Sequence, residues 1–146
     1  MDLILWRHAE AHLVREGQDD LERSLTTKGE RQAQRMAEWL NQRLAQSTRV
    51  LVSPAVRCQQ TARALERHYR TVPALRPGAD IDAVLQAARW PTGSEPVLVI
   101  GHQPTLGEIA ASLLAVQRGA RIVRVHNVAA MVAALAVWKA APGARR

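Results

Sequence analysis

The chain has 146 residues, of which 47% are apolar and 23% charged, a length that suits one domain with a core of its own. That composition excludes a disordered chain, and no uninterrupted run of about 18 apolar residues is present to span a membrane. Twenty Lys and Arg against 13 Asp and Glu leave a formal charge of +7, which points to an anionic partner or substrate without saying which anion.

The first residues place Asp2 where a secretory signal needs basic residues, and the apolar run Leu3 to Trp6 is too short for its hydrophobic segment. A cytoplasmic protein is expected. The single Cys58 agrees, since it can form neither an internal disulfide nor a cysteine-based zinc site. Leu3-Ile4-Leu5-Trp6 is wholly apolar without alternation, as in a strand buried on both faces. A polar loop from His12 to Ser24 follows. Ala33, Met36, Ala37, Leu40 and Leu44 then recur at helical spacing, with Thr27-Lys28-Gly29-Glu30 in the form of a capping box. Val50-Leu51-Val52 predicts a second buried strand. After it, Ser53 as cap and Pro54 at the first helical position predict a helix burying Ala55, Cys58, Ala62, Leu65 and Tyr69. Ile81, Val84, Leu85 and Ala88 predict a short helix after the Pro77-Gly78 turn. Val97-Leu98-Val99-Ile100 predicts a third strand, followed by Gly101-His102-Gln103 and a helix opened by Pro104 that buries Leu106, Ile109, Ala110, Leu113 and Leu114. From Ala129 to Ala141 the Ala content favours helix, while Val125, Val128, Val132 and Val137 are β-branched and favour strand. Pro142 to Arg146 reads as a polar tail.

This alternation implies an α/β domain, a three-layer α/β/α arrangement with helices on both faces of a mostly parallel sheet. In such sheets ligands bind beyond the carboxyl ends of the strands. Arg7 and His8 stand directly after the first strand, Arg57 in the first turn of the helix after the second, and His102 after the third. Two arginines and two histidines converging there, beside helix N-termini, suit a compact dianion such as phosphate. A neutral imidazole can also attack phosphorus to form a covalent phosphohistidine that water then hydrolyses. No Gly-Lys-Ser/Thr phosphate loop and no cluster of Asp ligands is present, so chemistry without a metal or other cofactor is expected. Five aromatic residues, Trp6, Trp39, Tyr69, Trp90 and Trp138, offer little for base stacking, which argues against a single-strand nucleic-acid binder.

These residues resemble a known family. Trp6-Arg7-His8-Ala9-Glu10-Ala11 is similar to the Arg-His-Gly or Arg-His-Ala signature of the histidine phosphatase (phosphoglycerate mutase-like) superfamily. Leu25-Thr26-Thr27-Lys28-Gly29, the stretch Leu51 to Ala62 and Gly101-His102-Gln103-Pro104 are similar to its next blocks, in the same order. The match covers about residues 1–116. Ser24 stands where relatives usually carry Pro, and Gln103 where Asn is common. Within the superfamily the chain most resembles the small SixA-type phosphohistidine phosphatases, which lack large insertions over the pocket.

That resemblance implies a phosphoglycerate mutase-like fold, a single domain over residues 1–141, a strand between Val128 and Val137, and a tail over residues 142–146. It implies His8 as nucleophile, with Arg7, Arg57 and His102 as the phosphate pocket. The substrate implied is a phosphohistidine on a signalling protein, an acidic phosphoprotein drawn by the positive charge. A monomer is expected. Glu10, Asp80 and Asp82 are the candidate proton donors, although a P–N bond, whose leaving nitrogen can be protonated beforehand, needs no strong acid. Two competing readings are a phosphomonoesterase for a sugar or nucleotide phosphate, and a non-catalytic phosphate-binding or nucleic-acid-binding module. Among the remaining polar residues, Ser53 reads as a helix cap and His12 as a loop residue within reach of the rim. His68 and His126 read as surface or packing residues, and Arg15, Arg23, Arg31, Arg35 and Arg43 as a solvated face.

Overall fold

The structure, a computed structural model, describes residues 2–115 and 122–124. The expectations for Val128 to Val137, His126 and the tail 142–146 lie outside the described residues.

Among the described residues, five strands form one parallel sheet in the order β3-β2-β4-β1-β5. They are β1 (Leu3–Arg7), β2 (Arg49–Val52), β3 (Arg70–Thr71), β4 (Val97–Gly101) and β5 (Ile122–Arg124). The helices are α1 (Thr27–Asn41), α2 (Val56–Arg63), α3 (Ile81–Ala88) and α4 (Thr105–Ala115), with 3-10 turns at Asp20–Glu22 and Pro73–Leu75. Strand alternation sorts the apolar side chains into two cores. Leu3, Leu5, Val97 and Val99 pack on one face with Val84 and Ala88 of α3 and Ile109 of α4. Ile4, Trp6, Leu98 and Ile100 pack on the other with Ala37 and Leu40 of α1 and Cys58 and Ala62 of α2. The expected α/β/α layering follows from this two-sided burial. Among the described residues no helix is long and apolar enough to cross a membrane.

Several helix boundaries differ from expectation. Thr26, not Thr27, caps α1, and its Oγ1 accepts from the Gly29 N–H at 2.9 Å. The third helical residue is therefore Gly29, and no capping box forms. The glycine is required by close approach, because a Cβ there would stand 1.9 Å from the Glu10 carbonyl oxygen. Ala55 rather than Ser53 is the N-cap of α2, and Pro54 precedes the helix. Pro104 lies just before α4, where its carbonyl accepts from Glu108 N at 3.0 Å. Helix α2 ends at Arg63 instead of running on to Tyr69, because the chain turns through Glu66 (φ 54°) to lay β3 beside β2. Asn41 Nδ2 holds the Leu65 carbonyl in that turn at 2.9 Å.

The register brings the carboxyl ends of the three central strands level. Arg7 pairs with Gly101 and Val52 with Ile100. The hydrogen bonding then continues past the strands, with His8 N donating to Gly101 O at 3.2 Å and Ser53 N to Ile100 O at 3.0 Å. Three loops thus leave the sheet side by side.

Candidate active site

Arg7, His8, Arg57 and His102 meet at this edge, around a cavity of about 460 Å³. The His8 and His102 rings lie 5.3 Å apart, centroid to centroid. Arg57, only 2% exposed, joins them: its Nε donates to His8 Nε2 at 3.2 Å, and its Nη2 lies 3.3 Å from His102 Nδ1. A guanidinium only donates, so both imidazole nitrogens facing it are acceptors in this arrangement.

The tautomer of His8 is fixed from behind. Its Nδ1 lies 2.7 Å from the Ala9 carbonyl, which can only accept, so Nδ1 carries the proton and the Nε2 lone pair faces the cavity. Burial, then the charges of Arg57 and Arg7, lower the His8 pKa to about 4, with the Ala9 hydrogen bond acting in the opposite direction. His102 is lowered to about 3, first by burial and then by Arg57 and His8. Both rings are neutral at pH 7.

The residues around these four explain the longer sequence blocks. Thr61 Oγ1 donates to the Arg57 carbonyl at 2.7 Å and accepts from Ala9 N at 3.1 Å, tying α2 to the peptide that orients His8. Gln60 Oε1 accepts from Leu25 N at 2.7 Å. Ser53 Oγ lies 2.7 Å from His102 Nε2 and accepts from Ala55 N at 3.3 Å. The serine expected as the helix cap instead supports a site histidine. Arg7 Nε is buried and has no hydrogen-bond partner among the described residues. Cys58 Sγ lies 3.5 Å from His102 Nε2, but burial pushes its thiol up to about 12, so it is no thiolate nucleophile.

Two charged lining residues were not singled out as site residues in the sequence. The loop from His12 to Ser24 is closed at its base by an Ala11–Leu25 bridge and a His12 N–Ser24 O bond of 3.0 Å, which folds it back over the cavity. Asp20 and Arg23 then line the site. Asp20 Oδ2 lies 2.7 Å from Arg57 Nη2 and its Oδ1 2.8 Å from Arg23 Nε. Burial raises the Asp20 pKa, but hydrogen bonds and charge from Arg57 and Arg23 outweigh it and hold the carboxyl below its ordinary value. Arg23, placed by the sequence on a solvated face, belongs to the cavity instead.

The candidate proton donors separate. Glu10 lines the cavity, accepting from Thr26 Oγ1 at 2.9 Å and pairing with Lys28 at 3.0 Å. Asp80 spends its carboxylate on the cap of α3, accepting from Asp82 N and Ala83 N. Neither Asp80 nor Asp82 is among the residues lining the cavity. Arg35 and Trp39 line a separate hollow of about 370 Å³ on the α1 side of Arg7 and His8.

The description of one family model, histidine phosphatase superfamily (branch 1), matches residues 3–80. The chain belongs to that superfamily. This histidine phosphatase is 35% identical over 122 residues to the phosphohistidine phosphatase SixA of Escherichia coli, covering 77% of this chain and 74% of that one. A solved structure of the protein histidine phosphatase SixA complexed with tungstate superposes with a TM-score of 0.66 at 33% identity, over 76% of this chain and 75% of the other. The structure of a candidate phosphohistidine phosphatase SixA from Agrobacterium tumefaciens superposes with a TM-score of 0.69 at 26% identity, over 76% of this chain and 75% of the other.

Proposed function

We propose that this histidine phosphatase cleaves the P–N bond of a phosphohistidine displayed on a protein, through a covalent phosphohistidine on His8. The observation that carries this reading is the His8 ring itself, with Nδ1–H held by the Ala9 carbonyl and Nε2 facing the guanidinium of Arg57. In the first step the Nε2 lone pair attacks phosphorus, the P–N bond to the substrate imidazole breaks, and the leaving nitrogen carries a proton gained from solvent. In the second, water attacks phosphorus, the P–Nε2 bond breaks and phosphate is released. Arg7, Arg57 and His102 bind the equatorial oxygens, where guanidinium groups stabilise the spread charge of phosphoryl transfer without a metal. The binding of tungstate, a tetrahedral oxyanion, by a related SixA structure supports an oxyanion site here.

The acids support this substrate class. Asp20 is held ionised between two arginines, so it is not set up as a strong proton donor for an alkoxide, and the Glu10 carboxylate is engaged by Thr26 and Lys28. A phosphoramidate leaves as an imidazole and needs no such donor. The test is kcat/KM for a phosphorylated histidine-phosphotransfer domain beside a panel of sugar and nucleotide phosphates, with and without EDTA. The reading predicts at least a hundredfold preference for the phosphohistidine protein, unchanged by EDTA. A preference for any ester by that margin contradicts it.

A further inference from the structure

The cavity is less positive than a general anion binder requires. Its lining includes Arg7, Arg23 and Arg57 together with Glu10 and Asp20, while His8 and His102 are neutral at pH 7. Lys28, which pairs with Glu10, is not part of the lining. A bound phosphoryl dianion therefore exhausts the balance of positive charge, even with Lys28 counted. Asp20 is close to the chemistry, because it bonds the same guanidinium that reaches His8 Nε2 and His102 Nδ1. Its side chain is 46% exposed, so its field extends toward whatever enters the cavity mouth.

We propose that the Asp20 carboxylate, held between Arg57 and Arg23 and seconded by Glu10, makes this pocket select its substrate by leaving-group charge. A phosphoryl dianion on a neutral or cationic leaving group is accepted, and one whose leaving group carries further negative charge is rejected. The proposal rests on the reading of this cavity as the phosphoryl site and narrows the substrate class. Imidazole departs neutral, or as a cation once protonated, whereas phosphorylated acids and bisphosphates bring a third negative charge to a site with no cation left over. For charges about 7 Å apart at an effective dielectric of about 40, between the protein-surface value and that of water, Coulomb's law makes each carboxylate worth about five- to tenfold in affinity.

Chemical-shift titrations of the whole protein with choline phosphate and with phosphoglycolate test this, since both carry the same phosphoryl group and opposite remote charges. Wild type is expected to bind choline phosphate at least about fivefold more tightly. Asp20→Asn should narrow that preference by about fivefold, chiefly by tightening phosphoglycolate, and the effect should shrink at high salt. Glu10→Gln, which leaves the Arg57 contacts intact, should shift the preference in the same direction and keeps the test readable if Asp20→Asn does not fold. Equal affinity of wild type for the two ligands, or an equal loss for both in the variants, overturns the proposal and reduces Asp20 to a support for Arg57. Failure of wild type to bind either ligand, or phosphate, instead overturns the reading of the cavity as a phosphoryl site.

Discussion

Ser53 Oγ lies 2.7 Å from His102 Nε2, on the side of the ring away from Arg57. With Arg57 donating toward Nδ1, the ring proton sits on Nε2 and points at the serine oxygen. When a phosphoryl oxygen replaces Arg57 as the neighbour of Nδ1, the proton is needed on Nδ1 and the serine must donate. A hydroxyl does both, which no apolar or purely accepting side chain at this buried position could do.

Ser53→Ala should therefore lower kcat/KM about ten- to a hundredfold by leaving Nε2 with Cys58 Sγ as its neighbour. Ser53→Thr should recover most of the loss. Steady-state kinetics of both variants on one substrate check this, and an unaffected Ser53→Ala would show that the contact does not serve His102.

Arg57→Lys should lose about two to three orders of magnitude in kcat/KM. The guanidinium contacts His8, His102 and Asp20 at once from a position 2% exposed, and a lysine ammonium has no planar fork to make these contacts together. Retention of more than a tenth of the activity would contradict this role.

The lowered histidine pKa values fix a sign for stability against pH. Between about 4 and 6.5 the unfolded chain binds protons at His8 and His102 that the folded chain refuses. Stability therefore rises with pH across that window and is lost as pH falls from 6.5 toward 4. Denaturant unfolding at several pH values measures the slope, and replacing His8 by Asn should flatten it. Direct titration of the His8 ring by NMR should give a midpoint near 4, and one at 6.5 would contradict the burial and charge described for it.

Gly29→Ala should destabilise the fold by about 2–4 kcal/mol, because the new methyl would overlap the Glu10 carbonyl, 1.9 Å from an ideal Cβ. That carbonyl also accepts from Thr26 N at 3.0 Å, so helix α1 cannot move away without breaking the base of the loop. Chemical denaturation checks this; a change below about 0.5 kcal/mol would show that the loop yields freely.

The central strands and the four converging residues were legible because two-sided burial writes itself as uninterrupted apolar runs, and the chemistry sits where those runs end. Strand β3 was not, since Arg70–Thr71 is exposed on both residues at the sheet edge and carries no apolar pattern. The cap of α2 was displaced by two residues because Ser53 is drawn toward His102, a contact across 49 positions. Asp20 and Arg23 escaped for the same reason. Their place over the cavity depends on the Ala11–Leu25 bridge and on Arg57, and nothing local in Asp19-Asp20-Leu21-Glu22-Arg23 distinguishes them from a solvated loop.

The charge of +7 also changes meaning. All 13 acids and fourteen of the twenty basic residues fall within residues 1–115, so that stretch is +1 and residues 116–146 hold +6. The cavity itself mixes arginines with carboxylates. The formal excess of positive charge thus lies in the last part of the sequence, and the proposed selection at the site rests on a nearly balanced set of charges.

The covalent step is tested most directly by mixing the enzyme with a phosphorylated histidine-phosphotransfer domain, quenching in alkali within milliseconds, and locating the phosphoryl group by mass spectrometry. The account predicts a transient phosphate on His8, absent from His8→Ala, which also releases no phosphate. Turnover by His8→Ala, or a phosphoryl group on any other residue, would contradict it.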